Sequence, residues 1–220
     1  MKKDIAIYGA GGLGREILML IQQINALRGE TWSMIGFFDD GLAAGQLIHG
    51  YPVLGGIAEL NGHPGPLAVV VAVGNPGVKR RLVAAIRSPV VFFPSLIHPS
   101  VALFDFQQVT VGAGCLVCAG TTLTVDIVLG CHVLLNLHCT VGHDSRIGDF
   151  CSLMPSVNVS GDVKLDEAVY VGTGASLING VAVGRNAVVG AGAVVVRSLP
   201  ADCTATGIPA RPIKFHAVSA

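Results

Sequence analysis

The sequence predicts a small parallel α/β domain followed by a parallel β-helix. Two observations support this fold class: a strand, a glycine-rich loop and a helical pattern open the chain, and a six-residue repeat fills most of its second half. The chain has 220 residues, which is enough for two modest domains. We place the boundary in a proline-containing junction, so that the α/β domain covers residues 1–94 and the β-helix with a C-terminal tail covers residues 95–220.

The repeat runs without insertion or deletion from Val111 to Val195, and every sixth residue in it is Leu, Ile or Val. The residue two places before each of these is small or aliphatic. Because strand side chains alternate, both positions of a unit point to the same side of the chain. A hexapeptide period is typical of a parallel β-helix, in which three units close one triangular coil.

The N-terminal half shows the pattern of a nucleotide-binding fold. Asp4–Tyr8 predicts a buried strand, and Gly9–Gly14 follows it with the spacing G-x-G-x-x-G before a helical pattern. Such a loop brings phosphate close to free N–H groups at the helix N-terminus. A second predicted strand, Met34–Phe38, ends in Asp39 and Asp40, where an acid commonly holds a ribose hydroxyl. A glycine turn that only packs the helix against the strand is the alternative.

Strands and helices alternate up to about residue 93, which predicts a Rossmann-like parallel domain with its ligand at the carboxyl ends of the strands. One of these ends is Gly74, after the strand Leu67–Val73. The domain lacks the second half that would hold a full dinucleotide, so we expect a mononucleotide or a nucleotide-sugar. Residues 51–56 are interpreted as a loop, and Lys79, Arg80 and Arg81 as a solvated helix face.

Composition narrows the possible partners. The 14 basic and 14 acidic residues balance, so nucleic acid and anionic membranes are poor candidates. No apolar run is long enough to span a bilayer, and the first residues do not form a signal-peptide core. Six cysteines without an export signal suggest the reducing cytoplasm. Cys115 and Cys118 have the spacing of a zinc or redox pair, but Cys115 occupies an inward repeat position and favours a structural role.

Polar residues that could do chemistry collect in one part of the repeat: His132, Asn136, His138, His143 and Asp144. The repeat places Gly161 one coil above His143, which would leave space beside the imidazole. An imidazole can accept a proton from an attacking amine or hydroxyl near neutral pH, and Asp144 would hold the ring if both residues lie at a corner. The alternative is that these are ordinary surface turn residues.

The chain resembles the hexapeptide-repeat sugar acyltransferases, namely sialic-acid O-acetyltransferases and bacterial nucleotide-amino-sugar N-acetyltransferases. The resemblance covers nearly all residues and rests on these segments together: IYGAGGLGREI, FFDD, VAVGN, FPSLIHPS, LNLHCTVGHDSRIGDF and TATGIPARP. It implies a left-handed β-helix, and it implies a homotrimer that binds acetyl-CoA between neighbouring β-helices.

The resemblance also implies site residues. His143 matches the general base of the family, Asp144 its supporting acid and Asn136 a nearby amide. The positions that match sugar-nucleotide contacts are Gly11, Gly12, Leu13, Asp39, Asp40 and Gly74, and those that match acetyl-CoA contacts are Ser152, Gly161, Thr173 and Ala191. Some relatives have His where Leu13 and Ser152 stand here. No metal ligand is implied.

We therefore expect direct transfer of an acetyl group from acetyl-CoA to an amino group, at C4, of a nucleotide-linked sugar. A sugar hydroxyl is the alternative acceptor. A zinc enzyme similar to γ-carbonic anhydrases would use the spacing of His138 and His143, but Ala102 stands where a third ligand is expected. A non-catalytic nucleotide-sugar-binding trimer is a further alternative, and NAD-dependent oxidoreduction is a weaker one because no hydride-transfer constellation follows the glycine loop.

Overall fold

The structure is a computed structural model that describes residues 2–29 and 31–216. Its first part is an α/β domain. In chain order its elements are β1 (Lys3–Tyr8), α1 (Gly12–Arg28), β2 (Trp32–Phe38), β3 (Leu47–Ile48), β4 (Tyr51–Gly55), α2 (Ile57–Asn61), β5 (Leu67–Val71), α3 (Pro76–Ala85) and β6 (Val91–Phe92).

The sheet of this domain has the strand order β3-β4-β2-β1-β5-β6. Strands β4, β2, β1, β5 and β6 are parallel, and β3 forms an antiparallel hairpin with β4. Ile5 and Ile7 pack against α1 on one face, whereas Ala6 and Tyr8 pack on the other with α2 and α3. The carboxyl ends of the parallel strands therefore lie along one edge, where the loops after β1, β2 and β5 meet.

The strands from β7 (Leu96–Ile97) onward form a parallel β-helix with three faces. The first face contains β7, β9 (Leu116–Val117), β12 (Leu134–Leu135), β15 (Ser152–Leu153), β18 (Tyr170–Val171) and β21 (Val188–Val189). The second contains β10 (Thr122–Leu123), β13 (Thr140–Val141), β16 (Asn158–Val159), β19 (Ser176–Leu177) and β22 (Val194–Val195). The third contains β8 (Thr110–Val111), β11 (Val128–Leu129), β14 (Arg146–Ile147), β17 (Lys164–Leu165) and β20 (Ala182–Val183), preceded by a 3₁₀ turn at Asp105–Gln107.

The predicted repeat is confirmed inside this helix. Each strand pairs in parallel with the strand one coil later, as Leu123 does with Val141, and the second and third faces each stack five strands. Every sixth aliphatic residue from Val117 to Val195 is buried in one continuous core. Small residues at the second inward position, such as Cys139 and Ala175, leave room for the larger ones across the prism.

Three corners join the faces, and we name each by the faces that it connects. The first–second corner contains residues 118–120, 136–138, 154–156, 172–174 and 190–192; the second–third corner contains residues 124–126, 142–144, 160–162 and 178–180; the third–first corner contains residues 112–114, 130–132, 148–150, 166–168 and 184–186. The last residue of each corner has a positive φ, at every sixth position from Gln108 to Gly192. A residue with this left-handed conformation turns the chain by the angle that a triangular coil requires. Gly, Asp and Asn adopt the conformation most readily.

The α/β domain packs on the lower coils of the first face. Ile17 and Ile21 of α1 belong to the same apolar cluster as Leu116 and Leu134, whose side chains point outward from that face. Cys118 also lies in this cluster, whereas Cys115 lies inside the β-helix. The burial of outward residues by the other domain explains why the first face is apolar at its base.

The structure corrects two expectations from the sequence. Residues 51–55 form strand β4 and not a loop, because they continue the sheet beside β2. Lys79 is not part of a solvated face, since it is 2% exposed and its side chain points from α3 to the β-helix. Beyond the repeat, β23 (Cys203–Thr206) and β24 (Arg211–Phe215) form an antiparallel hairpin that extends the first face.

A turn at residues 207–210 joins these two strands. None of the helices within residues 2–29 and 31–216 is long and apolar enough to cross a bilayer.

Candidate active site

His143 occupies the middle of the second–third corner, two residues after the end of β13. Its Nδ1 lies 2.8 Å from Oδ2 of Asp144, and both side chains are more than half exposed. Neighbouring residues on a strand would point to opposite sides, but the left-handed φ of +62° at Asp144 turns its carboxylate back toward the ring. The predicted pair of imidazole and carboxylate is therefore formed.

The contact with Asp144 defines the tautomer of His143. An ionised carboxylate can only accept a hydrogen bond, so Nδ1 of His143 carries the proton that it shares with Asp144. The lone pair of the neutral ring is then on Nε2. This arrangement presents Nε2 as the atom that can accept a proton from a nucleophile.

Gly161 lies against the other side of the ring. The backbone N–H of Asp162 donates to the carbonyl of His143, which stacks the two corners one coil apart as predicted. A Cβ on Gly161 would overlap Nε2 and Cε1 of the imidazole. The absent side chain therefore provides the space in which the ring stands.

The remaining polar residues of this part of the chain lie at other corners. Asn136 and His138 are at the first–second corner, and His132 is at the third–first corner. Asn136 is buried, and its Oδ1 accepts a hydrogen bond from the backbone of Leu137. Asn136 belongs to the corner at residues 136–138 and His143 to the corner at residues 142–144, so residues 139–141, about 10 Å of extended chain, lie between the two corners. One chain therefore does not bring them together.

His132 has a packing role. Its ring stacks on Phe150 of the next coil, with centroids 5.2 Å apart, and meets the edge of Phe93 at 4.9 Å. Burial, together with the positive charge of Lys79, lowers the pKa of His132 to about 4. This histidine is therefore neutral at physiological pH and belongs to the junction between the domains.

The residues predicted to bind the sugar nucleotide lie along the carboxyl edge of the sheet. Gly11 caps α1 after β1, Asp39 follows β2, and Gly74 follows β5, which are neighbouring strands. A Cβ on Gly11 or Gly12 would meet no atom within 4 Å, so a ligand can approach this backbone closely. Leu13, by contrast, packs with its side chain against the cluster between the domains.

The two acidic residues have different surroundings. Asp39 accepts hydrogen bonds from the backbone N–H of Ala10 and of Gly41, which ties it to the glycine loop. Asp40 accepts from the hydroxyl of Tyr8 at 2.6 Å and from the N–H of Ile57 at the start of α2. Asp40 therefore anchors the loop after β2, and burial next to this carboxylate raises the pKa of Tyr8.

The positions that match acetyl-CoA contacts are distributed over two corners. Thr173 and Ala191 are exposed at the first–second corner, in successive coils, whereas Gly161 is beside His143 at the second–third corner. The structure corrects the expectation for Ser152: its side chain is fully buried, and its Oγ accepts a hydrogen bond from Nζ of Lys79 at 3.0 Å. A residue enclosed between the domains cannot contact a coenzyme on the surface of the chain.

A cavity of about 920 Å³ lies beside the α/β domain, next to the later coils of the β-helix. It extends from Gly74 and Asn75 at the start of α3 to Tyr170 and Val188, which point outward from the upper first face. Sequence reasoning missed Tyr170, although its outward repeat position could have suggested it. The cavity connects the predicted sugar-nucleotide edge with the upper coils.

Within one chain, the described cysteines and histidines do not gather around one point. Cys115 and Cys118 belong to different apolar clusters, and burial raises the pKa of Cys118 to about 12. His138 and His143 lie at different corners, so one chain does not place them around one ion. No group of three possible ligands occurs within the described residues 2–29 and 31–216.

Comparison with known proteins identifies the family. Residues 4–86 match the PglD N-terminal domain. GDP-perosamine N-acetyltransferase of Escherichia coli O157:H7 is 30% identical over 215 residues, which cover 94% of this chain and 95% of the relative.

Two solved structures are similar over almost the whole chain. The acetyltransferase domain of PglB from Neisseria gonorrhoeae FA1090, in complex with acetyl coenzyme A, has a TM-score of 0.85 and 31% identity, with 97% of this chain and 100% of that chain covered. PerB from Caulobacter crescentus, in complex with CoA and GDP-perosamine, has a TM-score of 0.83 and 31% identity, with coverage of 96% and 97%. With its PglD-type domain, its hexapeptide-repeat β-helix and its histidine–aspartate pair, the chain belongs to the nucleotide-amino-sugar N-acetyltransferase family.

Proposed function

We propose that this protein transfers the acetyl group of acetyl-CoA to the amino group at C4 of a nucleotide-linked sugar. The observation that carries the proposal is the His143–Asp144 pair, with Nε2 of His143 free to accept a proton beside Gly161. The relatives support the two substrates, since one is a GDP-perosamine N-acetyltransferase and the solved structures contain acetyl coenzyme A or CoA with GDP-perosamine.

The reaction needs one base and a site for one negative charge. Nε2 of His143 takes a proton from the amine while the amine nitrogen attacks the thioester carbonyl. The tetrahedral intermediate then expels the thiolate of coenzyme A. Asp144 stabilises the imidazolium that forms. The backbone N–H of Gly161 donates no hydrogen bond among the described residues and can stabilise the oxyanion, an effect worth about 3 kcal/mol. Binding both substrates together makes a covalent enzyme intermediate unnecessary.

The distribution of site residues over two corners supports a homotrimer. His143 and Gly161 are on the second–third corner, whereas Asn136, Thr173 and Ala191 are on the first–second corner, and Gly74 faces Met154 of that same corner. We propose that the second–third corner of one chain lies beside the first–second corner of its neighbour, so that each site takes residues from two chains. The free cysteines fit our assignment of the protein to the reducing cytoplasm.

The experiment is an acceptor panel. Purified protein is incubated with acetyl-CoA and with UDP-, dTDP- or GDP-linked 4-amino sugars, and free thiol is followed with time. We expect thiol release that depends on one of the amino sugars, with an amide in the product. Release that requires a sugar hydroxyl, with an ester product, would replace the proposal by O-acetylation. Release with none of the acceptors would contradict it.

A further inference from the structure

Lys79 is an unusual residue for the position that it occupies. It lies one turn into α3, where its side chain is 2% exposed, and its Nζ donates to the carbonyl of Cys151 at 3.3 Å and to Oγ of Ser152 at 3.0 Å. No carboxylate pairs with it among the described residues. An ammonium group is thus enclosed between the α/β domain and the β-helix with neutral acceptors alone.

This arrangement is energetically unfavourable, and an interface that only holds two domains together does not require it. Burial of a charge without a counter-charge is unfavourable, and apolar residues of similar size commonly replace buried charges without loss of stability. The same burial lowers the pKa of Lys79 to about 8. The apolar contacts of Leu116 and Leu134 already hold the domains together, so Lys79 supplies something that apolar contact does not.

Directional hydrogen bonds, by contrast with apolar contacts, fix the position of one surface relative to the other. Apolar packing is non-directional and tolerates small rotations of one surface on another. The two bonds of Lys79 instead require one position of α3 relative to β15. Arg80, the next residue, pairs with Glu167 of the β-helix, but this pair is exposed and contributes little.

The register of α3 determines the position of the sugar-nucleotide edge. The N–H of Lys79 donates to the carbonyl of Asn75, so the helix is continuous with the loop that contains Gly74. On the other side, Ser152 is two residues before Met154, and a Cβ on Gly74 would lie 3.9 Å from Cε of Met154. A shift at Lys79 would therefore move Gly74 relative to the β-helix.

We propose that Lys79, through Cys151 and Ser152, is a positioning residue that fixes the acceptor-binding edge of the α/β domain on the β-helix. It orients the nucleotide amino sugar and has no contact with the coenzyme. The inference rests on the proposed function for the identity of the acceptor.

The test compares Lys79→Met with Arg81→Met, which removes an exposed basic residue from the same helix, and with Ser152→Ala. We expect Lys79→Met to fold with an unchanged or higher Tm and to bind acetyl-CoA with an unchanged Kd. Its kcat/KM for the amino sugar should fall about 10- to 100-fold, as expected when a substrate is displaced by about 1 Å. Ser152→Ala should also lower kcat/KM for the amino sugar. The double variant should lose no more kcat/KM than Lys79→Met does, because both residues act through one contact.

Hydrogen exchange of α3 and of the loop before it gives a readout that needs no turnover. We expect faster exchange in Lys79→Met and wild-type exchange in Arg81→Met. A Lys79→Met protein that matches Arg81→Met in exchange and in kcat/KM would overturn the proposal. A fall in Tm with an equal loss of every kinetic and binding parameter would reduce Lys79 to a structural residue. If the wild-type protein acetylates no amino sugar, the proposed function fails, and the exchange data still decide whether Lys79 fixes the domain.

Discussion

The imidazole of His143 stands in the space that a side chain on Gly161 would fill. The two residues occupy the same place at the second–third corner in successive coils, and a Cβ on Gly161 would overlap Nε2 of the ring. Among the described residues, His143 is the one histidine that both pairs with a carboxylate and lies against a glycine of the next coil. The predictions about catalysis depend on this contact.

Gly161→Ala should displace the base without unfolding the β-helix. Alanine already occupies the same place within a corner at Ala119 and Ala191, so the backbone accepts it. The added methyl group would push Nε2 of His143 away from the acceptor, and we expect kcat to fall about 10²-fold. Steady-state kinetics with Asn179→Ala, which places alanine at the equivalent position one coil higher, provides the control. Equal activity of both variants would show that the contact is unimportant.

Asp144→Asn should impair the base by changing its tautomer. An amide can donate to Nδ1, which moves the ring proton to Nε2 and removes the lone pair that accepts the amine proton. The corresponding change in a buried triad costs about 10⁴-fold, and we expect a smaller loss here because the pair is exposed. The measurement is kcat between pH 6 and 9, with the Kd of acetyl-CoA as control. Wild-type kcat would exclude this role of Asp144.

His132 should make the protein less stable in acid. Its pKa is lowered to about 4 in the folded state, so between pH 6.5 and about 4 the unfolded chain binds a proton that the folded chain does not. Stability is therefore present above pH 6.5 and is lost as the pH falls, by about 1–2 kcal/mol at pH 5.

The matched variant is His132→Phe, because Phe150 occupies the equivalent left-handed position one coil above. Urea unfolding of both proteins at pH 7 and pH 5 should give a smaller decrease for the variant. Equal decreases would show that another group causes the acid sensitivity.

Mixed trimers test whether a site takes residues from two chains. His143→Ala removes the proposed base, and Gly12→Asp places a carboxylate where we expect the sugar diphosphate. Each variant alone should be inactive, whereas co-refolded mixtures should recover about a quarter of the wild-type activity, because some neighbouring chains combine both intact halves. No recovery, despite trimers that contain both variants, would place the whole site within one chain.

The β-helix could be predicted because its inward positions depend on local alternation alone. The aliphatic residues at every sixth position from Val117 to Val195 are buried, as the pattern requires, and Val111 at the start of the repeat is partly buried. The stacking of Gly161 on His143 followed from the same period. The left-handed corner residues were harder to predict from the sequence. Phe150 and Ala168 adopt a positive φ that their residue types disfavour.

What the repeat could not predict was the covering of the first face. Thr140, Ser152 and Asn158 all occupy the outward repeat position, yet Ser152 is fully buried and the other two are exposed. The difference depends on where the α/β domain docks, which is a tertiary property. For the same reason no pattern in the sequence indicated that Lys79 is enclosed, and its neighbours Arg80 and Arg81 are in fact exposed.

The role of His143 as the base is tested by the turnover of His143→Ala with acetyl-CoA and the amino sugar selected by the acceptor panel. We expect kcat to fall about 10²–10⁴-fold, the range for loss of a general base, with unchanged Kd values for both substrates. Near-normal turnover in this variant would contradict the assignment of His143 as the base.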